Sequence, residues 1–229
     1  MRADRPLVIV LAALALCSCG SGSTPAAPAQ LLRDAKHSID SAQSVHFTLV
    51  SQDVSSGAGP LITGGEGDAR RPNSFTGSLS VVVGGFTVAV NIVSVGGVFY
   101  AQTPLSTGYT KTDPSAYGFG DPAQLLDPSH GLSSLLTACS GTSLRAPDRF
   151  KGEQLDEVGC SMPGTLVAKL LTSADASQPV QATVGVDHGN HQLRRVTLVG
   201  PFFAKAHRST FTVVLDRYGE NVTITPPVA

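Results

Sequence analysis

The cysteines are the residues whose type and spacing most clearly promise chemistry. Leu16-Cys17-Ser18-Cys19-Gly20 closes a ten-residue uncharged apolar run, Leu7 to Leu16, which follows the basic Arg2 and Arg5. A positive start, a short apolar run and a small residue at the junction form the pattern of a secretory signal. The run is shorter than the ~18 apolar residues that read as a bilayer-spanning helix. The junction resembles the bacterial lipobox, in which an aliphatic residue and a small residue precede a cysteine that becomes lipid-modified. With Cys17 in that role, the bulky Leu16 would stand directly before the cut. With Cys19, Ser18 stands there and Leu16 lies three residues before. The sequence therefore predicts a signal peptide over 1–18, lipidation at Cys19 and a tether over 19–28. The competing reading is an ordinary secreted protein with a cysteine pair near its cleavage site.

The other two cysteines, Cys139 and Cys160, have no Cys or His nearby at ligand spacing. Export permits a disulfide between them, worth about 3 kcal/mol on chain-entropy grounds for a loop of this length. Two buried free thiols are the alternative, with a metal or catalytic thiol further behind. His188-Gly189-Asn190-His191 is the nearest approach to a metal pair, but Gly-Asn in its centre marks a hairpin turn and no third ligand is close in sequence. Gly64-Gly65-Glu66-Gly67 lacks dinucleotide-binding spacing, and Gly-x-Ser-x-Gly, Ser-x-x-Lys, His-Glu-x-x-His and P-loop motifs do not occur. The expectation is a non-enzyme with no catalytic residue, metal or cofactor.

The 229 residues carry a formal charge of −1. Removal of 1–18 takes away two Arg and one Asp, leaving −2, so nothing attracts nucleic acid. Charged residues are 14% of the chain, below the usual quarter or so. Val, Gly, Ser, Thr and Ala are abundant, which favours strands, and 29–229 suits one domain.

Residues 20–30, Gly-Ser-Gly-Ser-Thr-Pro-Ala-Ala-Pro-Ala-Gln, have no hydrophobic period and read as a flexible tether. Leu31, Leu32, Ala35, Ile39 and Ala42 then recur at helical spacing. From Val45 the period becomes two, and strands continue to about Tyr109. Gly84-Gly85 is a two-residue hairpin turn that sets Val83 opposite Phe86, Val81 opposite Val88 and Leu79 opposite Val90. These six, with Ile92, share one sheet face, and a second turn at Gly96-Gly97 returns Phe99 to it. Asp113-Pro114, Asp121-Pro122 and Asp127-Pro128 repeat a helix-start device, an Asp that accepts free amides before a Pro that needs none. Two short helices carrying Leu125, Leu126, Leu132, Leu135 and Leu136 fit there. Strands are expected within 141–161, a short helix or crossover over 164–171, and further strands over 180–186, 193–199, 209–215 and 221–225.

This much apolar sheet face, with few helices to cover it, has two outcomes. The faces close at crystal-like density, or they enclose an apolar void where each buried methylene of an acyl chain gains about 0.8 kcal/mol.

Several segments in fixed order resemble the LppX/LprAFG lipoproteins of mycobacteria and their relatives. They are Ser44-Val45-His46-Phe47, Gly67-Asp68-Ala69 with Pro72, Val95-Gly96-Gly97-Val98-Phe99-Tyr100-Ala101, Tyr109 with Asp113-Pro114, Asp121 to Asp127-Pro128 with Gly131-Leu132, and Val222 to Pro226. The resemblance covers about residue 28 to the end. It implies an α+β fold, a twisted antiparallel half-barrel with several helices on its concave face, enclosing a lipid cavity. Carried onto this chain, Leu79, Val81, Val83, Phe86, Val88, Val90, Ile92 and Phe99 would wall that cavity from the sheet, and Leu125, Leu132, Leu135 and Leu136 from the helices. The implied function is a lipid-anchored, membrane-held carrier facing the periplasm or cell exterior. It would bind an acylated lipid or glycolipid, work as a monomer and exchange cargo with an envelope exporter. A surface or structural lipoprotein with a closed core, acting as a protein-interaction module, is the alternative.

Overall fold

The computed structural model describes residues 26–54 and 61–228. The expected signal peptide, Cys19 and most of the tether lie outside the described residues. The first helix, α1 (Pro28–Ser41), has Pro at its first turn and buries Leu31, Leu32, Ala35 and Ile39, the face that the helical spacing predicts.

Twelve strands follow among the described residues. β1 (Ser44–Gln52), β2 (Leu61–Arg70), β3 (Ser74–Val83), β4 (Phe86–Val95), β5 (Val98–Gln102) and β6 (Thr110–Lys111) form an antiparallel meander. β7 (Ser140–Leu144), β8 (Asp148–Phe150), β9 (Glu153–Met162), β10 (Val180–Asp187), β11 (Leu193–Ala204) and β12 (His207–Asp216) form the other half. The two halves join where β1 pairs with β12, and the order runs β6-β5-β4-β3-β2-β1-β12-β11-β10-β9-β7 with β8 also on β9. β6 and β7 are the two edges of this unclosed sheet. The hairpin registers read from the sequence hold: Val83 pairs with Phe86, Val81 with Val88 and Leu79 with Val90. Gly84 and Gly85 have φ of 58° and 83°, the left-handed conformation a two-residue hairpin requires.

Because β6 and β7 are opposite edges, residues 112–139 must cross one face of the sheet to connect them. The Asp-Pro devices shape that crossing. Asp113 accepts the Ser115 amide at 2.8 Å, Asp121 accepts that of Ala123 at 3.0 Å, and Asp127 accepts those of Ser129 and His130 at 2.8 and 2.7 Å. The first two open single 3-10 turns, Pro114–Tyr117 and Pro122–Gln124, and the third leads into α2 (Leu132–Thr137). The crossing ends at Cys139, which is disulfide-bonded to Cys160 of β9 with a Cα–Cα distance of 5.5 Å. A third helix, α3 (Gly164–Leu170), lies between β9 and β10.

These elements and α1 cover the concave face. α1 packs on α2 and on β7, β9, β10 and β11, while the Pro122 turn packs on β2, β3 and β4. The strand registers define two rims. One holds the β3–β4 and β11–β12 turns, the end of β1 and α3. The other holds the β2–β3, β4–β5 and β10–β11 turns and the end of β12. α1 runs from the first rim, where Ala29 and Leu32 lie beside Leu136 and Cys139, to the second, where the Arg71 guanidinium donates to the carbonyls of Ala42 at 2.8 Å and Ile39 at 3.2 Å.

One expected strand is absent. Residues 221–225 carry no ladder, because Asp216 already pairs with His46 near the start of β1. Beyond it β1 soon offers no partner, and Arg217 turns the chain aside with φ of 49°. The segment is held instead through the carbonyls of Glu220 and Val222, which accept from the Ser44 hydroxyl and the Arg70 guanidinium.

Candidate functional site: an apolar cavity under a helical roof

A cavity of about 100 Å³ lies between the concave face and the covering elements. Its floor comes from the central strands: Phe47 and Leu49 of β1, Ile62 of β2, Phe75 and Leu79 of β3, Leu198 of β11 and Val213 of β12. Its roof has two pieces. Phe119, Pro122, Leu125, Leu132 and Leu135 belong to the edge-to-edge crossing, and Val167, Leu170 and Leu171 belong to α3 and its end.

Asp121 is the one ionisable residue of the lining, and its carboxylate is already occupied. Oδ1 accepts from the buried Ser94 hydroxyl at 2.7 Å as well as from the Ala123 amide. A carboxylate tied to the sheet and to its own turn fixes the roof and offers the interior little unsatisfied polarity. Packed aromatic rings stiffen both surfaces, with the tilted Phe47 and Phe75 rings 5.3 Å apart between centroids in the floor. Phe119 meets Phe99 edge to face at 5.7 Å where roof and sheet join. Such a space excludes charged ligands, which would be desolvated without partners, and suits hydrocarbon.

Of the residues that the resemblance placed around a cavity, Leu79, Leu125, Leu132 and Leu135 border this space. Val81, Val90, Ile92, Phe99 and Leu136 are buried in the surrounding core without reaching it, and Val88 is partly buried against that core. Val83 and Phe86 depart from the expectation: they are 47% and 76% exposed. The pairing that puts them on the apolar face is correct, but the hairpin extends past the end of the roof. The sequence reading missed most of the floor and all of the α3 contribution. Alternation in β1, β11 and β12 was legible, yet only the pairing of β1 with β12 brings Phe47, Leu49 and Val213 together.

The Cys139 and Cys160 sulfurs are bonded to each other, and His188 and His191 flank the β10–β11 turn. His188 Nδ1 lies 2.9 Å from Asp156 and His191 Nδ1 3.6 Å from Asp34. Among the described residues no three His, Cys, Asp or Glu side chains gather as metal ligands.

The fold is thus an unclosed antiparallel half-barrel whose concave face holds an apolar cavity under short helices. The chain belongs to the LppX_LprAFG lipoprotein family, whose profile it matches over residues 27–224. The lipoarabinomannan carrier protein LprG of Mycobacterium tuberculosis (strain ATCC 25618 / H37Rv) is 26% identical over 230 residues, covering 96% of this chain and 93% of the relative. The crystal structure of LprF from Mycobacterium bovis superposes with a TM-score of 0.71 at 17% identity, covering 88% of this chain and 97% of that one. That of the Mycobacterium tuberculosis lipoprotein LppX superposes at 0.64 with 16% identity, covering 86% and 98%. At these identities the two structures speak for the fold.

Proposed function

We propose that this protein is a lipid-anchored carrier that takes the acyl chains of a lipid or glycolipid into its roofed cavity and helps move them across the cell envelope. The carrying observation is the cavity itself, walled by apolar side chains on both sides and holding one already-occupied carboxylate. Family membership and the 26% identity to a protein named as a lipoarabinomannan carrier support the same reading. Its N-terminal Cys19 carries the anchor, and the cargo passes to a partner such as an envelope exporter. The action is stoichiometric: chains enter, a polar head stays outside, and no covalent step occurs.

The cavity volume bears on how loading works. About 100 Å³ is smaller than the ~150 Å³ engineered cavity that accepts benzene. Loading of acyl chains therefore requires the roof to lift from the sheet. Both pieces of the roof are built for that, since α2 has six residues and α3 seven, too short to be stable without tertiary packing.

Mass spectrometry of organic extracts from the purified protein, paired with uptake of a fluorescent acyl probe, tests the proposal. Co-purifying acylated lipid and saturable uptake are expected. Absence of both would remove the carrier function and leave a closed-core interaction module.

A further inference from the structure

We infer that the rim bearing the β3–β4 turn is a membrane-docking edge, on which Val83 and Phe86 enter the bilayer beside a basic turn. Four observations converge on this rim. First, the apolar stripe that forms part of the cavity floor does not end with the roof. It runs from Leu79, 4% exposed, through Val81, fully buried, to Val83 and Phe86 at the tip. An exposed aromatic on a glycine-turned hairpin tip faces water unless something apolar receives it. Val54, at the end of β1 on the same rim, is 37% exposed.

Second, the rims differ in how their charges are paired. On the second rim Asp68, Asp216 and Glu220 meet Arg217, Asp216 also meets Lys151, and Glu153 meets Arg194. On the first rim the β11–β12 turn carries Lys205 and Arg208, both exposed and neither in an ion pair among the described residues. The rim also carries Asp53 and Asp175, the latter bonded to Ser177 and close to Lys205. The β11–β12 turn itself is basic, which suits an anionic lipid surface.

Third, α1 begins at this rim, so the covalent connection toward Cys19 leaves the domain there. Roughly ten residues reach at most ~33–36 Å, which keeps this rim near whatever holds Cys19. Fourth, α3, one of the two roof pieces, sits on the same rim. Docking therefore brings the start of α3, at the edge of the roof, to the bilayer, and an acyl chain moving along the stripe from Phe86 to Leu79 avoids water. The third observation rests on the lipid-anchor reading; the other three do not.

The sequence contains no Trp, so Phe86→Trp introduces a single reporter. The full chain carrying it is mixed with vesicles of phosphatidylglycerol and phosphatidylcholine, some with brominated acyl chains. Gln154→Trp, at an exposed position near the second rim, is the control. The Phe86→Trp indole should shift to the blue and be quenched by the brominated chains, and the Gln154→Trp indole should do neither. Lys205→Glu should weaken tip quenching on the anionic vesicles by about five-fold and leave it unchanged on pure phosphatidylcholine. Cosedimentation and lipid extraction separate this inference from the carrier function. A chain that sediments with vesicles while its tip indole stays unquenched overturns docking and leaves the carrier reading. Tip quenching in a chain that yields and takes up no lipid does the reverse. A blue-shifted tip indole in a self-associated chain without vesicles would assign the tip to a second copy and also overturn the inference.

Discussion

The amide of Gly120 donates to the carbonyl of Leu170 at 3.2 Å, joining the two pieces of the cavity roof. The approach is close enough that a Cβ on Gly120 would stand 2.4 Å from the carbonyl oxygen of Lys169. Since that oxygen is backbone, it cannot swing away, and a side chain here forces the crossing segment and α3 apart.

Gly120→Ala should therefore destabilise the fold by about 1–3 kcal/mol and loosen the roof. A melting temperature lower by ~2–4 °C per kcal/mol, together with faster release of a bound acyl probe, is the expected result. Loss of stability with unchanged release would show that the seam does not gate the cavity.

Filling the floor tests whether the cavity holds cargo. Val213 borders it and is partly exposed to it, so Val213→Phe directs a ring into the space. Displacing about two methylenes of cargo costs ~1.6 kcal/mol, or roughly ten-fold in probe affinity, with the chain still folded by circular dichroism. Leu105→Ser, at a residue 97% exposed, should alter stability by less than ~0.5 kcal/mol and leave uptake unchanged.

The Cys139–Cys160 bond ties the end of the crossing segment to β9 over a sequence separation of 21. Closing such a loop is worth about 3 kcal/mol. Reduction, or Cys139→Ser with Cys160→Ser, should lower the melting temperature by ~6–12 °C, read by thermal melts with and without dithiothreitol.

The Asp127 carboxyl is held below its ordinary value, first by the Ser129 amide, against opposing burial, and then by the amide and ring of His130. A folded-state value below the unfolded one gives stability that is present above the ordinary pKa of 3.8 and lost as the pH falls through the folded value. Asp127→Ala should thus cost about 1 kcal/mol near neutrality. The melting temperatures of the two chains should converge as the pH drops below 3.8.

On the opposite face of the sheet, Arg195 Nη2 donates to Glu157 Oε1 at 2.7 Å and to Asp148 Oδ2 at 2.5 Å. Glu157 is 4% exposed. Arg195→Met leaves its charge buried without that partner, at a cost of about 3–5 kcal/mol. Adding Glu157→Leu should recover most of the loss in urea denaturation, and a double variant as unstable as the single one would contradict this account.

What the sequence determined by itself follows from short-range rules. Pleat alternation and the left-handed preference of Gly84-Gly85 set the register of Leu79, Val81 and Val83. Helical spacing marked the buried face of α1, and each Asp-Pro pair marked a helix start or turn because the carboxylate reaches amides only two or three residues on. The succession of motifs pointed to the family.

Only the tertiary structure decided where the cavity lies and what walls it. The pairing of Phe47 with Leu215 joins strands from opposite ends of the domain, and no local preference encodes which distant strand is chosen. That pairing turns β6 and β7 into edges, and the edges oblige residues 112–139 to cross the face and become a roof. The roof's extent then separates Leu79, in the cavity wall, from Phe86, in the open. The two residues follow the same alternation on one hairpin, and the difference between them is the reach of a segment from elsewhere in the chain.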